Sequence, residues 1–596
     1  MILQSLYELA KREGLSENPD FEKKRVDVFL RIDADGNLLE PESSGEKVGR
    51  GLEEDVPRFP NRTIAVSAAL LCDKAEYVLG FSNKENKPGR LALCTAAFDQ
   101  RVDEAAAATA DAGVLAVQRF LKKRDQFRPE LIASYPFGDQ GWTGSEIIAF
   151  RFEDELALSK RTTIVHQRPA VREYWSKLRS PVAGVDSGGT ADSKSAALFT
   201  CLVTGQPTIP HRLHDKIKRI PGSLSQGAAL VSFNNDAFTS HGLEQGSNAP
   251  VCREAAEGYV TALNWLLEAS TAPVRRFRSG VQLGDDAVAV FWTRDANAVV
   301  EEVLDCFAPP DVEPDTEPAR SEEGRRATEN FVRAISEAPY KGEDSATADD
   351  TPFYAVTLSA NARVIVRDYF VTKAADVRRN LSRYFQDLQL GSSQRTKIPL
   401  REIKAALTAP GREPSTKLEA LLFRAALCGG PLPRTLLWCA LSRLRLPPDP
   451  KTERRLLHLR CALIKATLIR LKQEVSVSLD ESNVKPAYLL GRLFAVLEQL
   501  QQAALGDINA SIRDRFFGAA STTPQAVFPR LVKLSIHHLK KSERYDLEKI
   551  KSRIVGSLPS EPFPRLLLLE DQGLFAIGYY HQRESLFTKK AAAETA

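Results

Sequence analysis

The chain has 596 residues, 27% charged and 43% hydrophobic, which excludes a disordered, collagenous or coiled-coil protein. No run of about 18 apolar residues occurs, as a membrane span needs, and MILQSLYELAKREG carries charges where a signal peptide has its apolar core, so a cytoplasmic protein is expected. The net charge of +4 hides an asymmetry: residues 1–370 hold 44 basic and 56 acidic side chains, residues 371–596 hold 37 and 21.

Alternation of apolar and polar residues predicts strands at 24–32, 63–71 and 146–152, and Ala-rich periodicity predicts a helix over 105–124. Short β-like runs follow at 196–203, 227–233 and 287–292. Residues 301–350 carry 15 acidic and 5 basic side chains and read as an acidic, mobile insert poor in apolar residues. Alternation resumes at 353–370 and predicts a strand that returns to the N-terminal sheet. From there, apolar spacing of three and four predicts seven helices: 376–390, 415–428, 432–445, 452–474, 484–505, 524–540 and 543–556. The expected fold is α+β: a mixed α/β N-terminal domain (1–300), the insert (301–350), a returning strand (351–374) and a basic all-α helical bundle (375–596).

Eight cysteines are scattered without CxxC spacing and read as buried thiols. AspSerGlyGly at 186–189 resembles a protease nucleophile loop, but His166 is the only histidine before it and lacks fitting surroundings, so a flexible loop is the better reading. The dipeptide His214–Asp215, with His211 and Cys201 nearby, suggests a metal-dependent nuclease as one alternative, although its spacing fits no standard zinc site. No Walker phosphate loop and no HExxH occur, so neither catalysis nor a cofactor is expected.

Two features suit a polyanion. The segment SFNNDAFTSHGLEQGSNAP (232–250) gathers amides, among them Asn234, Asn235, Gln245 and Asn248, that can both donate to and accept from base edges; caps within a structural loop are the competing role. The stretch KTERRLLHLRCALIKATLIRLK (451–472) sets Arg454, Arg455, Arg460, Lys465, Arg470 and Lys472 beside a Leu/Ile stripe, where cations can track a phosphate backbone or simply face water. The turn with Lys216, Lys218 and Arg219, and Asn61 and Arg62 in PRFPNR, complete the candidate DNA contacts. A scaffold that binds only protein is a further alternative.

The segments MILQSLYELA, LLCDKAEYVLGF, CLVTGQPTIPHRLHDKIKRIPGSLSQGAALVSFNNDAF, SHGLEQGSNAPV, AYLLGRLFAVLEQLQ, AASTTPQAVFPRLVKLSIHHLKK and FAIGYYHQRESLFTKK, in this order, resemble the large subunit of the type I-C CRISPR Cascade surveillance complex. The resemblance implies a subunit without catalytic activity. It implies assembly with CRISPR RNA, backbone subunits, a handle-capping subunit and small subunits. It further implies recognition of the PAM in double-stranded target DNA, help in opening the duplex, a hold on the displaced single strand within the R-loop, and recruitment of a nuclease-helicase. In this family the C-terminal helices are also made as a free small subunit from an internal start. Met1 is the only methionine, so such a start here must use GTG or TTG, with Val475 or Val477 as candidates.

Overall fold

The computed structural model describes residues 2–15, 20–39, 42–43, 51–60, 66–83, 89–134, 141–153, 162–179, 198–233, 235–239, 241–268, 277–309, 349–360, 363–391, 398–408, 416–446, 453–506 and 511–594. Most of the acidic insert, the 186–189 loop, Asn61, Arg62 and Asn234 lie outside these residues. The chain divides into two compact units, one of Ala10–Asp215 and Val231–Thr261, the other of Met1–Leu9, Lys216–Leu230 and Ala262–Ala596.

In the first unit, Val28–Ile32 pairs in parallel with Ile147–Glu153, and the short strands Glu42–Ser43, Cys72–Lys74 and Thr162–Ile164 join antiparallel. Phe21–Val26 and Leu52–Pro57 form a separate antiparallel pair. Helices Arg90–Thr109, Ala112–Ser134 and Pro169–Arg179 cover the core, where Phe120 meets Phe150 edge to face at 5.6 Å. The single helix expected over 105–124 is two. Ala110 takes a left-handed φ of 49°, and the Asp111 carboxylate then accepts from the N–H groups of Gly113 and Val114, an N-cap that starts a new helix. The strand expected at 63–71 is absent over 66–71. The chain there turns through Leu71 (φ 57°), and the Asp73 carboxylate accepts from Ala69 N at 2.7 Å, so pairing begins only at Cys72. Likewise 227–233 holds only a bridge from Ala228 to Ile217.

The second unit is built on an antiparallel sheet in the order Gly280–Leu283, Ala287–Thr293, Pro352–Ala360, Val364–Lys373. The expected returning strand is thus a hairpin. It does pair with Ala287–Thr293, but both belong to the unit that contains the helices rather than to an N-terminal domain. Side-chain packing gives the reason: Phe291 stacks on Phe353 and meets Phe423 of helix Thr416–Cys428 at 5.9 Å, so one face of the sheet is part of the helical core.

Among the described residues, ten helices follow this sheet. Seven fall where apolar spacing predicts them. Leu400–Leu407, Ile512–Ala520 and Leu569–Glu594 were not expected. The last contains Gly573 and Gly578, both packed against neighbouring helices. A Cβ at Gly578 would lie 2.2 Å from the Tyr488 carbonyl oxygen, and one at Gly491 would lie 2.0 Å from that of Phe575. These two glycines let Pro486–Leu505 and Leu569–Glu594 touch backbone to backbone. The α+β class, with a mixed N-terminal region and a C-terminal helical bundle, stands. No helix among the described residues is long and apolar enough to cross a membrane.

Candidate nucleic-acid interface

The polar loop is a built structure. At Gly246 an added Cβ would stand 2.2 Å from the His211 carbonyl oxygen, so only glycine allows this approach. Asn248 Nδ2 donates to the carbonyls of Leu243 (3.0 Å) and Gln245 (3.2 Å), and Asn235 Oδ1 accepts from Ala237 N at 3.0 Å. Arg212 donates to Gln245 Oε1. Asn248 therefore braces the loop, the capping role that competes with base reading. Asn235 is exposed and Gln245 half-buried, so part of each faces outward.

The basic turn is pinned by one amide. Asn264 Oδ1 accepts from Lys218 N at 2.8 Å, and its Nδ2 donates to the Lys216 carbonyl at 3.3 Å. Arg219 sits at φ 66° and reaches the Asn264 carbonyl at 3.4 Å. Lys216 Nζ donates to Gln226, while Lys218 and Arg219 are exposed. None of the three cations has a carboxylate partner among the described residues.

His214 and Asp215 do not form a metal pair. His214 Nδ1 lies 2.8 Å from the buried Tyr259 hydroxyl, and burial pushes the imidazole pKa down to about 4. Asp215 instead faces Arg58 at 3.6 Å. Arg58 also pairs with Glu257, which Arg179 and Arg253 share, and those two arginines converge on Asp20. This ion-pair cluster ties strand Phe21–Val26 to helix Pro169–Arg179 and to the start of helix Arg253–Leu266. No group of three or more His, Cys, Asp or Glu among the described residues is placed to hold a metal ion, so nothing in this arrangement favours the nuclease alternative built on this dipeptide.

The basic helix, Glu453–Arg470, also departs from expectation. Three of its cations point into the core. Arg460 (6% exposed) donates from Nε to the Ala406 carbonyl at 2.8 Å, and Lys465 (2% exposed) donates to that of Asp387 at 3.0 Å. Arg470 pairs with the Asp387 carboxylate and donates to the carbonyls of Gly429 and Gly430. Each acceptor sits at the C-terminal end of another helix, where the last carbonyls lack intrahelical partners and the dipole favours a cation. Burial lowers the pKa of Arg460 to about 10 and that of Lys465 to about 8. These three side chains cap helices and leave no head group for phosphate. Arg455 is exposed but paired with Glu402 at 2.8 Å, Lys472 is exposed just past the helix, and the Arg454 side chain lies outside the described residues.

A different helix carries the exposed cations. Pro524–Ser542 buries Val527, Phe528, Leu531 and Ser535 and turns Arg530, Lys533, His537, Lys540 and Lys541 outward. Their spacing puts them within about a third of the helix circumference, over about 16 Å from Arg530 to Lys541. No acidic residue occurs between Asp514 and Glu543, and none of the lysines nor Arg530 has a carboxylate partner among the described residues. Arg530 lies over the Phe516 ring at 5.6 Å, and Tyr545, 64% exposed, follows the helix. The sequence carried part of the signal, basic residues at i, i+3, i+7, i+10 and i+11 in a stretch without acid, but not that they face water.

The chain matches the family described as CRISPR-associated protein (Cas_Csd1) over residues 3–587. A comparison with curated proteins finds no significant match. The chain belongs to the Cas_Csd1 family of CRISPR-associated proteins.

Proposed function

We propose that this chain is the large subunit of a type I-C CRISPR RNA-guided surveillance complex, acting in the cytoplasm without catalytic chemistry of its own. In this reading it recognises the PAM in double-stranded DNA, helps open the duplex, stabilises the R-loop and recruits the nuclease-helicase. The family match over residues 3–587 carries the reading. The acid-free cationic face of Pro524–Ser542 supports it, because a polyanion needs such a surface. Lys218 and Arg219 are the exposed candidates for duplex phosphates, and Asn235 and Gln245 for base edges.

The test is binding by the assembled complex. Changing Arg530, Lys533, Lys540 and Lys541 to alanine should weaken single-strand binding and flatten its salt dependence, by about 0.7 in the log–log slope for each phosphate that is no longer neutralised. Their exposure predicts an unchanged circular dichroism spectrum. Unchanged affinity and slope would remove this helix from the interface. Alanine at Lys218 and Arg219 should weaken duplex binding whatever the sequence, whereas Gln245→Ala should alter PAM preference. Unaltered PAM preference and binding would eliminate Gln245.

A further inference from the structure

Two thiols meet at the root of the polar loop. Cys201 follows the strand Phe199–Thr200, which pairs with Pro207–Thr208, and Cys252 immediately precedes helix Arg253–Leu266. The backbone holds these segments together: Leu202 N donates to the Pro250 carbonyl and His211 N to that of Val251, both at 2.8 Å. Cys201 Sγ accepts from Cys252 N at 3.2 Å and from Thr204 N at 3.4 Å. The 3.2 Å contact from Cys201 Sγ to Cys252 N brings the first sulfur to the backbone of the residue that carries the second. Cys201 is buried (1% exposed) and Cys252 half-buried.

We propose that Cys201 and Cys252 form a peroxide-sensitive thiol pair that closes to a reversible disulfide. The N–H donors around Cys201 and the N-terminus of the adjoining helix favour a thiolate. Against the effect of burial, the hydrogen bonds from Cys252 and Thr204 hold the Cys201 pKa down to about 7, whereas burial raises that of Cys252. The Cys201 thiolate attacks one oxygen of hydrogen peroxide, the O–O bond breaks, and the departing hydroxide takes a proton to leave as water. Cys201 is then a sulfenic acid. The Cys252 sulfur, giving up its proton, attacks the sulfenic sulfur; the S–O bond breaks and a second water departs. The pair loses two electrons and two protons, and peroxide is reduced to two waters. The bond closes a loop that contains both the basic turn and residues 232–250. The inference does not depend on the proposed function.

Trypsin separates the two thiols, releasing Cys201 in residues 195–212 and Cys252 in residues 220–253. Reduced full-length protein is treated with hydrogen peroxide, denatured, alkylated and digested without reductant. Mass spectrometry should find these peptides joined, two hydrogens lighter than their sum, with alkylation of both cysteines lost and restored by dithiothreitol. In Cys252→Ser, Cys201 should remain a sulfenic acid that dimedone captures. The proposal is overturned if both thiols still alkylate at a peroxide dose that oxidises the exposed Cys428, or if Cys201 proceeds to sulfinic acid without cross-linking. It is also overturned if Cys201 in the serine variant reacts no faster than the buried Cys72.

Discussion

At the scale of single residues, a charged side chain's role depends on whether it has been desolvated. Lys465 shows this most directly. Its ammonium is buried against the Asp387 carbonyl, and burial brings its pKa from 10.5 to about 8. Between those values the unfolded chain holds a proton that the folded one has released. Unfolding free energy should therefore rise with pH across this window, and the burden of a buried ammonium is fully present below about pH 8. Denaturant titrations of the wild type and Lys465→Met at pH 7.5 and 10.5 check this: the wild type should gain about 1–3 kcal/mol relative to the variant. A pH-independent difference would mean that Lys465 keeps its ordinary pKa when folded, as a solvated ammonium does. The immediate sequence neighbours do not separate Lys465 from Lys533, because each follows a β-branched residue, Ile464 or Val532, on a helix. Only the neighbouring helix ends decide which one is buried.

At the scale of elements, glycine decides how closely two helices can approach. Helix Leu569–Glu594 was not expected from the sequence, and its Gly578 is a contact point with Pro486–Leu505 that only glycine allows. Gly491→Ala should lower stability by about 1–3 kcal/mol, since its methyl would displace the backbone of a partner helix. Gly556→Ala, which meets nothing within 4 Å at the end of helix Tyr545–Gly556, should instead raise it by about 0.4–1 kcal/mol through the unfolded chain. Thermal melts of the two variants should move in opposite directions; equal shifts would refute the helix contact. The break at Ala110 is the converse case. There the Ala-rich pattern runs on across a cap that only Asp111, with its acceptors aimed at Gly113 and Val114, creates.

At the scale of the whole molecule, the boundaries follow buried faces rather than composition. The sheet of residues 280–373 shares its core with the helices, so the unit reaches well before residue 375, where the sequence changes character. Val475 and Val477 fall in the connection between helices Glu453–Arg470 and Pro486–Leu505. A product started there would hold five whole helices, among them the tightly apposed pair and the cationic helix. Expression from the native coding sequence, followed by intact-mass measurement of the purified complex, should reveal a short C-terminal chain beginning at one of these positions. Its absence would mean that the helices act only within the full chain.

The sequence alone determined the α+β class, most helices of the C-terminal part, the basic bias of that part and the family resemblance. These are properties of local spacing, side-chain volume and charge count, which every residue carries into any fold. Only the tertiary structure decided which cations face water, which amides brace a loop and which two cysteines meet. Each of these depends on a partner distant in sequence, such as the Ala406 and Asp387 carbonyls for Arg460 and Lys465, or Cys252 for Cys201. Burial and hydrogen bonding are properties of such pairs, and folding is what brings them together.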